Sequence, residues 1–457
     1  MKSIIQFAQN SLLEAGAEKV QCSLEKSEKH ELNVSSGEVS LLRTTFDTKL
    51  TMTGILNNQK GQVTINKVDE ISILDAVSQV IEFAESTQPD PANDIAEKQT
   101  PKNFHSGPVS PNLDKMYFRL NEFKDYVKEH YPTTILRETR LNFTKSKALF
   151  SNSNGVDFCS NHGAYSFVAM FSSKKDLKTS SFNYTAAITN DLDRPFIERS
   201  SFRRLLGQSS EQTETRSIPE NFVGNIIVTP ECMDDIIGGI TKYLHDHSLI
   251  TGTSVYKDKL DKAIAVPSLT LHSAPLSDEL AIKYFVTSDG FEVQNSTLID
   301  HGVLRSFLLG LYASNKTGLP KAVNEGGCLI IEPGDTSFEE MIKSTDKGIL
   351  LCRISGGQPS DNGDFSGVAK NSYYIENGQI QYPISETMVN GNLVEMLNNI
   401  NQISKERVNS GYSLYPWIKF DGLTVSGERK GEDGPQSERS EERRVGKECR
   451  SRWSPYH

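Results

Sequence analysis

Between Thr134 and about Ile188 the apolar residues abandon helical spacing for a period of two, and this change of period constrains the fold more than any other feature of the chain. Tyr165, Phe167, Ala169 and Phe171 occupy every second position, and Ser153-Asn154-Gly155 separates two such runs. Alternation over this length predicts strands with one apolar and one wet face, and Asn-Gly between them predicts a hairpin. The middle of the chain is therefore expected to be antiparallel sheet.

The flanking segments mix both periods. Ile4, Ile5, Ala8, Leu12 and Leu13 recur at helical spacing, with Gly16 placed to end that helix. Alternating runs follow at Val20–Leu24, Glu31–Val34 and Lys49–Leu56, and Asn57-Asn58 predicts a turn into Gln62–Ile65. A helix is expected from about Asp69, with Leu74, Val77, Ile81 and Ala84 on its buried stripe. Residues 87–113 hold prolines 89, 91, 101, 108 and 111 without periodicity, which predicts a semi-extended loop. Met116, Leu120, Phe123 and Val127 then mark a helix stopped near Pro132.

In the carboxyl-terminal half, Thr229-Pro230-Glu231 opens a helix whose buried stripe is Met233, Ile236, Ile237, Ile240 and Leu244. Asp300-His301-Gly302 and Glu376-Asn377-Gly378 read as turns. Thr336 with Glu339 resembles a capping box opening a short helix that Gly348 would end, and a last helix is expected over Leu393–Ile403. The fold class is α+β: an amino-terminal α/β unit followed by largely antiparallel β structure with a few helices. Expected divisions are 1–113, 114–220, 221–427, and a charged segment at 428–457. That last segment holds eight Lys/Arg and seven Asp/Glu with almost no aliphatic residue, too little apolar surface to fold. It reads as a cloning or assembly scar, the alternative being a charged interaction tail.

A formal net charge of −10 argues against a dedicated nucleic-acid binder. No stretch has the length of a signal peptide's apolar core or of a membrane span, so a cytoplasmic protein is expected. The six cysteines are scattered with no Cys-x-x-Cys pair, as buried, reduced, structural cysteines are.

Three features could carry chemistry. His245 and His247 could share a metal if the segment were extended, with a third ligand from His272, Asp289 or Cys352; a polar turn is the competing reading. The glycine pairs 238–239, 326–327 and 356–357 complete no phosphate- or dinucleotide-binding motif. Gly356-Gly357-Gln358, followed by Gly363 and Gly367, could let a peptide or partner strand approach closely, or be a simple turn. Cys159 and His162 lack an orienting third group, and no G-x-S-x-G elbow is present.

An ordered series of segments resembles the TldD/PmbA family, also called modulators of DNA gyrase. It comprises Glu31–Gly61, Asn152–Val156, Ser288-Asp289-Gly290, Leu298–Leu304, Tyr312–Gly318, the glycine loop with Gly363–Gly367, Tyr374–Ile380, Pro383–Glu386 and Gly391-Asn392-Leu393. The resemblance reaches to about Gly427. It implies that catalytic, TldD-like members carry H-E-x-x-x-H on a helix and a distant Cys, together binding zinc, with the Glu activating the metal's water. The corresponding helix here is Pro230–Leu244, which reads Gly238-Gly239-Ile240-Thr241-Lys242-Tyr243 at that place; Ser413–Ile418 lacks the Cys. The resemblance therefore implies the TldE/PmbA-like branch: no cofactor in this chain, zinc in a TldD-like partner subunit, a heterodimer or a homodimer, and unfolded or flexible peptide as substrate. Gly356, Gly357, Gln358, Asp364, Asp289 and Gly290 are the expected peptide- or partner-binding residues. The alternatives are an autonomous peptidase using His245 and His247, and a gyrase-modulating binding protein.

Overall fold

A computed structural model describes residues 1–427 apart from Ser36 and Glu386, so the charged segment 428–457, with Cys449, lies outside the described residues. The fold is α+β and is built on two large sheets.

In the first sheet, helix α1 (Lys2–Glu14) precedes β1 (Lys19–Ser35), β2 (Glu38–Leu56) and β3 (Gln59–Ile65). Helix α2 (Glu70–Ser86), β4 (Lys102–Ser106) and α3 (Leu113–His130) follow. The sheet is completed by β5 (Thr134–Asn152), β6 (Asp157–Lys175), the short β7 (Lys178–Thr179) and β8 (Asn183–Thr189). Strand order is β3-β2-β1-β5-β6-β4, with β8 also on β6; every pairing is antiparallel except β4 with β6. One sheet thus spans the position near 113 where composition suggests a boundary.

The local signals explain most of these elements. Asn57 and Asn58 take φ of 50° and 60°, the left-handed pair that a two-residue hairpin needs. At the β5–β6 turn the Asn152 side chain accepts from the backbone of Asn154 and Val156 at 3.1 and 3.0 Å. Phe143, Tyr165, Phe167 and Phe171 all point into a core covered by Met116, Leu120, Phe123 and Val127 of α3.

Two expectations here need correction. Helix α2 buries Ile73, Ala76, Val77, Val80 and Ala84; of the expected stripe Val77 and Ala84 are buried, but Leu74 is 48% exposed and Ile81 only half-buried. The cause is Gly61 on β3: a Cβ there would stand 1.9 Å from the Val80 carbonyl oxygen, so the helix backbone rests on the strand and its rotation follows. The Pro-rich stretch 87–113, expected as loop, supplies β4, which pairs Lys102–Ser106 with Phe158–His162.

Helix α4 (Phe202–Glu211) leads to the second sheet. Its elements are β9 (Phe222–Val228), α5 (Pro230–Thr241), α6 (Asp246–Ile250), β10 (Leu271–Ser273), β11 (Ser296–Asp300), β12 (Val303–Leu304), α7 (Leu311–Thr317), β13 (Leu329–Ile331) and α8 (Phe338–Lys343). They continue with β14 (Lys347–Leu351), β15 (Arg353–Ser355), β16 (Asp364–Lys370), β17 (Tyr373–Glu376), β18 (Gln379–Pro383), β19 (Thr387–Asn392), α9 (Leu393–Asn398), β20 (Ile400–Asn409) and β21 (Ser413–Ser426). Strand β21 is the pivot, pairing with β13, β9, β19 and β20 along its length.

Three boundaries differ from expectation. The capping box belongs to Ser337 and Glu340, because Thr336 is held in an extended bridge to Ser404. Gly348 does not end a helix but lies in β14, where an added Cβ would meet the Asn225 carbonyl oxygen at 2.4 Å. Helix α9 stops at Asn398, since Ile400 and Ile403 pair with Phe420 and Ile418 of β21. Among the described residues no helix is long and apolar enough to cross a membrane.

Candidate functional site

Helix α5 gathers the chemistry. Thr229 precedes it with extended backbone, Pro230 takes the first turn, and Cys232, Met233, Ile236, Ile237 and Ile240 anchor it in the large core of the second sheet. That anchoring turns Glu231, Asp234 and the glycine pair to other surroundings.

At its amino-terminal turn Glu231 is nearly enclosed, its side chain 8% exposed. Burial opposes its charge, but Arg204 of α4 at 2.5 Å and the Ser201 hydroxyl more than offset this and hold the carboxyl below its ordinary value. Arg204 in turn lies 5.2 Å from the centre of the Trp417 ring on β21. One turn on, the Tyr412 hydroxyl donates to Asp234 at 3.1 Å, and the Tyr415 hydroxyl reaches the same carboxylate. Asp234 is open to solvent on one side, yet the protein around its carboxyl, opposed by these two phenols and reinforced by Asp235 and Glu231, pushes its pKa up to about 6. Arg353 on β15 closes the group, donating to the Asn183 side chain at 2.9 Å and stacking 3.5 Å over Tyr184.

At the other end of α5, Gly239 receives its neighbours: an added Cβ would stand 2.5 Å from Leu393 Cδ1 and 3.3 Å from Pro359 Cγ. Tyr243 donates to the Ser360 carbonyl at 2.6 Å, and Lys242 reaches the Pro359 carbonyl at 3.4 Å. The glycine loop 356–363 is thereby fixed against the helix.

The expected binding residues fall into two groups. Gly356, Gly357 and Gln358 lie in the tip of the β15–β16 hairpin, with Asp364 at the start of β16. Gly356 faces open space, whereas a Cβ on Gly357 would meet the Ser366 carbonyl oxygen at 2.4 Å. Asp364 accepts from Asn362 and Asn392 at 2.8 and 2.9 Å, which holds its carboxyl below the usual range. Asp289 and Gly290 form a turn elsewhere. Asp289 accepts from the Leu311 backbone at 2.7 Å and so holds the start of α7, while Gly290 packs directly on Phe150 of the first sheet. The link between the groups is Asp246 of α6, which follows α5 and accepts from Gly310 at 2.9 Å.

The other candidates separate. His245 and His247 sit at the start of the short helix α6, where residues two apart do not share a face. His272 is held between Thr297 and Glu332, both at 3.0 Å, Cys352 is fully buried, and Asp289 is engaged with α7. Cys159 and His162 point to opposite faces of β6; His162 stacks on Phe285, and burial lowers its pKa to about 4. The five described cysteines are free and buried, and burial pushes the Cys22 and Cys352 thiols up to about 12.

Residues 223–427 match the family described as the PmbA/TldA metallopeptidase C-terminal domain. Through these residues the chain is similar to the PmbA/TldD family. It is 25% identical to the metalloprotease PmbA of Escherichia coli O157:H7 over 444 residues, 92% of this chain and 97% of that one. A PmbA homologue from Haemophilus influenzae is 22% identical, with 93% and 96% covered. The fold is shared with TldE from Thermococcus kodakarensis (TM-score 0.78, 18% identity, 93% and 100% covered). It is shared too with a putative modulator of DNA gyrase from Bacteroides thetaiotaomicron (TM-score 0.82, 19% identity, 93% and 99% covered).

The resemblance in the sequence puts a zinc-binding helix at Pro230–Leu244 and a Cys in Ser413–Ile418, and the fold does bring these segments together at Asp234, Tyr412 and Tyr415. The residues there do not fit zinc. Gly238 and Gly239 carry no donor, Leu393 and Pro359 pack where a side chain on Gly239 would stand, and β21 offers a phenol instead of a thiolate. Among the described residues no three His, Cys, Asp or Glu side chains cluster as a metal would need. Sequence reasoning missed the Asp234–Tyr412–Tyr415 group; its one signal was the pairing of two segments that the family resemblance already singled out.

Proposed function

We propose that this chain is the metal-free, TldE-like subunit of a TldD/TldE-type peptidase, pairing with a TldD-like subunit that carries the zinc and helping to hold unfolded peptide. The observation that carries the reading is Gly239: the face of α5 where the resemblance puts metal ligands is packed by Leu393 and Pro359. The similarity to the PmbA/TldD family supports the reaction class, peptide-bond hydrolysis by the assembled enzyme. In this reading the exposed tip of the glycine loop, with Gly356 open to solvent, meets peptide or partner. Chemistry belongs to the partner, and this chain contributes shape.

The test is reconstitution with a TldD-like subunit. Cleavage of a flexible peptide should need both chains and should vanish when the H-E-x-x-x-H histidines of the partner are changed. Full cleavage by the TldD-like subunit alone, unaltered on adding this chain, would contradict the proposal.

A further inference from the structure

We propose that the outer edge of β18 takes the carboxyl terminus of an extended peptide, which lies parallel to the strand and ends against Arg216 and Lys178. Strand β18 closes one side of the second sheet and pairs only with β17 among the described residues. The main-chain groups along its far side are therefore a template for a further strand. At its last residues that template is already in use. The Arg216 backbone donates to the Pro383 carbonyl at 2.9 Å and accepts from Ser385 at 3.1 Å, a parallel bridge. A register shift opposite Tyr374 and Ile375, together with Pro383, keeps the remaining edge short, which suits a chain end and not a long strand.

A hollow of about 530 Å³ lies beside this edge, lined by Ile380, Gln381 and Tyr382 of β18 together with Lys178, Thr215 and Arg216. Two carboxylates also reach it, and both are engaged. Glu211 accepts from the buried Tyr373 hydroxyl at 2.7 Å, and Glu214 pairs with Lys175 at 3.4 Å. Lys178 and Arg216 have no ion-pair partner among the described residues. The Arg216 guanidinium instead lies 5.4 Å from the centre of the Tyr382 ring, a contact that holds the group in place and leaves its N–H donors for a ligand.

Charge then fixes the direction. A strand beside Gln379–Tyr382 must stop where Arg216 takes over the edge. Running antiparallel to β18 it would bring an ammonium to that point; running parallel it brings a carboxylate. Arg216 and Lys178 repel the first and attract the second, and a guanidinium receives a carboxylate through two N–H donors at once. Ile380, 42% exposed, offers an apolar contact to a β-branched side chain of the added strand.

Fluorescence anisotropy on the full chain, with no other subunit present, tests this. The probe is a fluorescein-labelled hexapeptide of alternating serine and valine with a free carboxyl terminus. It should bind saturably, and its carboxyl-terminal amide should bind at least about tenfold more weakly. Arg216→Gln with Lys178→Gln should reproduce that loss for the free acid and remove the difference between acid and amide, with an unchanged circular dichroism spectrum. Lys26→Gln, on the first sheet, should leave binding as it is. N-methylation of the valines, which removes main-chain donors, should weaken the probe as much as amidation does. Absence of binding, equal affinities for acid and amide, or a double variant that still prefers the acid would each overturn the proposal. An amidated peptide with an internal glutamate that binds as well as the free acid would overturn the assignment to a chain end. A TldD-like subunit takes no part in these measurements, so they neither rest on nor decide its supply of the zinc.

Discussion

The adjacent glycines of α5 should respond in opposite directions to the same substitution. Both lie inside a helix, where replacing Gly by Ala gains about 1 kcal/mol through reduced backbone entropy in the unfolded chain. At Gly238 a Cβ meets nothing within 4 Å, so Gly238→Ala should realise most of that gain. At Gly239 the new methyl stands 2.5 Å from Leu393 Cδ1. Leu393 is 2% exposed and has little room to turn away. Overpacking of this kind costs about 1–3 kcal/mol, which cancels or exceeds the helix gain. The two variants should therefore differ by about 1–3 kcal/mol in urea unfolding, with Gly238→Ala the more stable. Leu393→Ala, which opens the space, should make Gly239→Ala tolerable, a non-additivity that a double-mutant cycle reads directly. Equal unfolding midpoints for the two single variants would refute the claim that close packing occupies this face of α5.

Other perturbations follow from the same contacts. Gly290→Ala meets both a left-handed backbone (φ 90°) and the Phe150 ring at 2.2 Å, so it should lose about 2–5 kcal/mol in denaturant unfolding. Changing Glu231 to Ala strands Arg204, and breaking a buried pair of this kind costs about 3–5 kcal/mol, measurable as a lower urea midpoint. The protein packed around its carboxyl raises the Asp234 pKa in the folded protein from near 4 to about 6, so its contribution to stability is fully present below pH ~4 and lost as pH rises through 6. Asp234→Asn should accordingly gain on the wild type between those limits, read by paired unfolding curves at pH 4 and 7. Ser337→Ala removes a capping-box hydroxyl and should cost about 1 kcal/mol.

What the sequence disclosed and what it concealed divide along the range of the interactions. Asn57-Asn58, Asn377-Gly378 and Ser153-Asn154-Gly155 announce hairpins because left-handed backbone is written in single residues. The α3 stripe was readable because Met116, Leu120, Phe123 and Val127 meet a face of pure alternation. The rotation of α2 was hidden, since it depends on Gly61 in another element accepting the Val80 backbone. Strand β4 is five residues long between prolines and has no period of its own; only pairing with β6 makes it a strand. The start of α5 was visible in Thr229-Pro230, but Asp234 and Tyr412 are 178 residues apart, and no local pattern predicts that they meet.

The most direct test of the account is the metal content and activity of the isolated chain. Purified without a TldD-like subunit and incubated with zinc, it should retain only substoichiometric metal after gel filtration and leave a flexible peptide uncut. Stoichiometric zinc held by the isolated chain, together with peptide cleavage abolished by a chelator, would contradict the reading of α5 as a helix packed for structure.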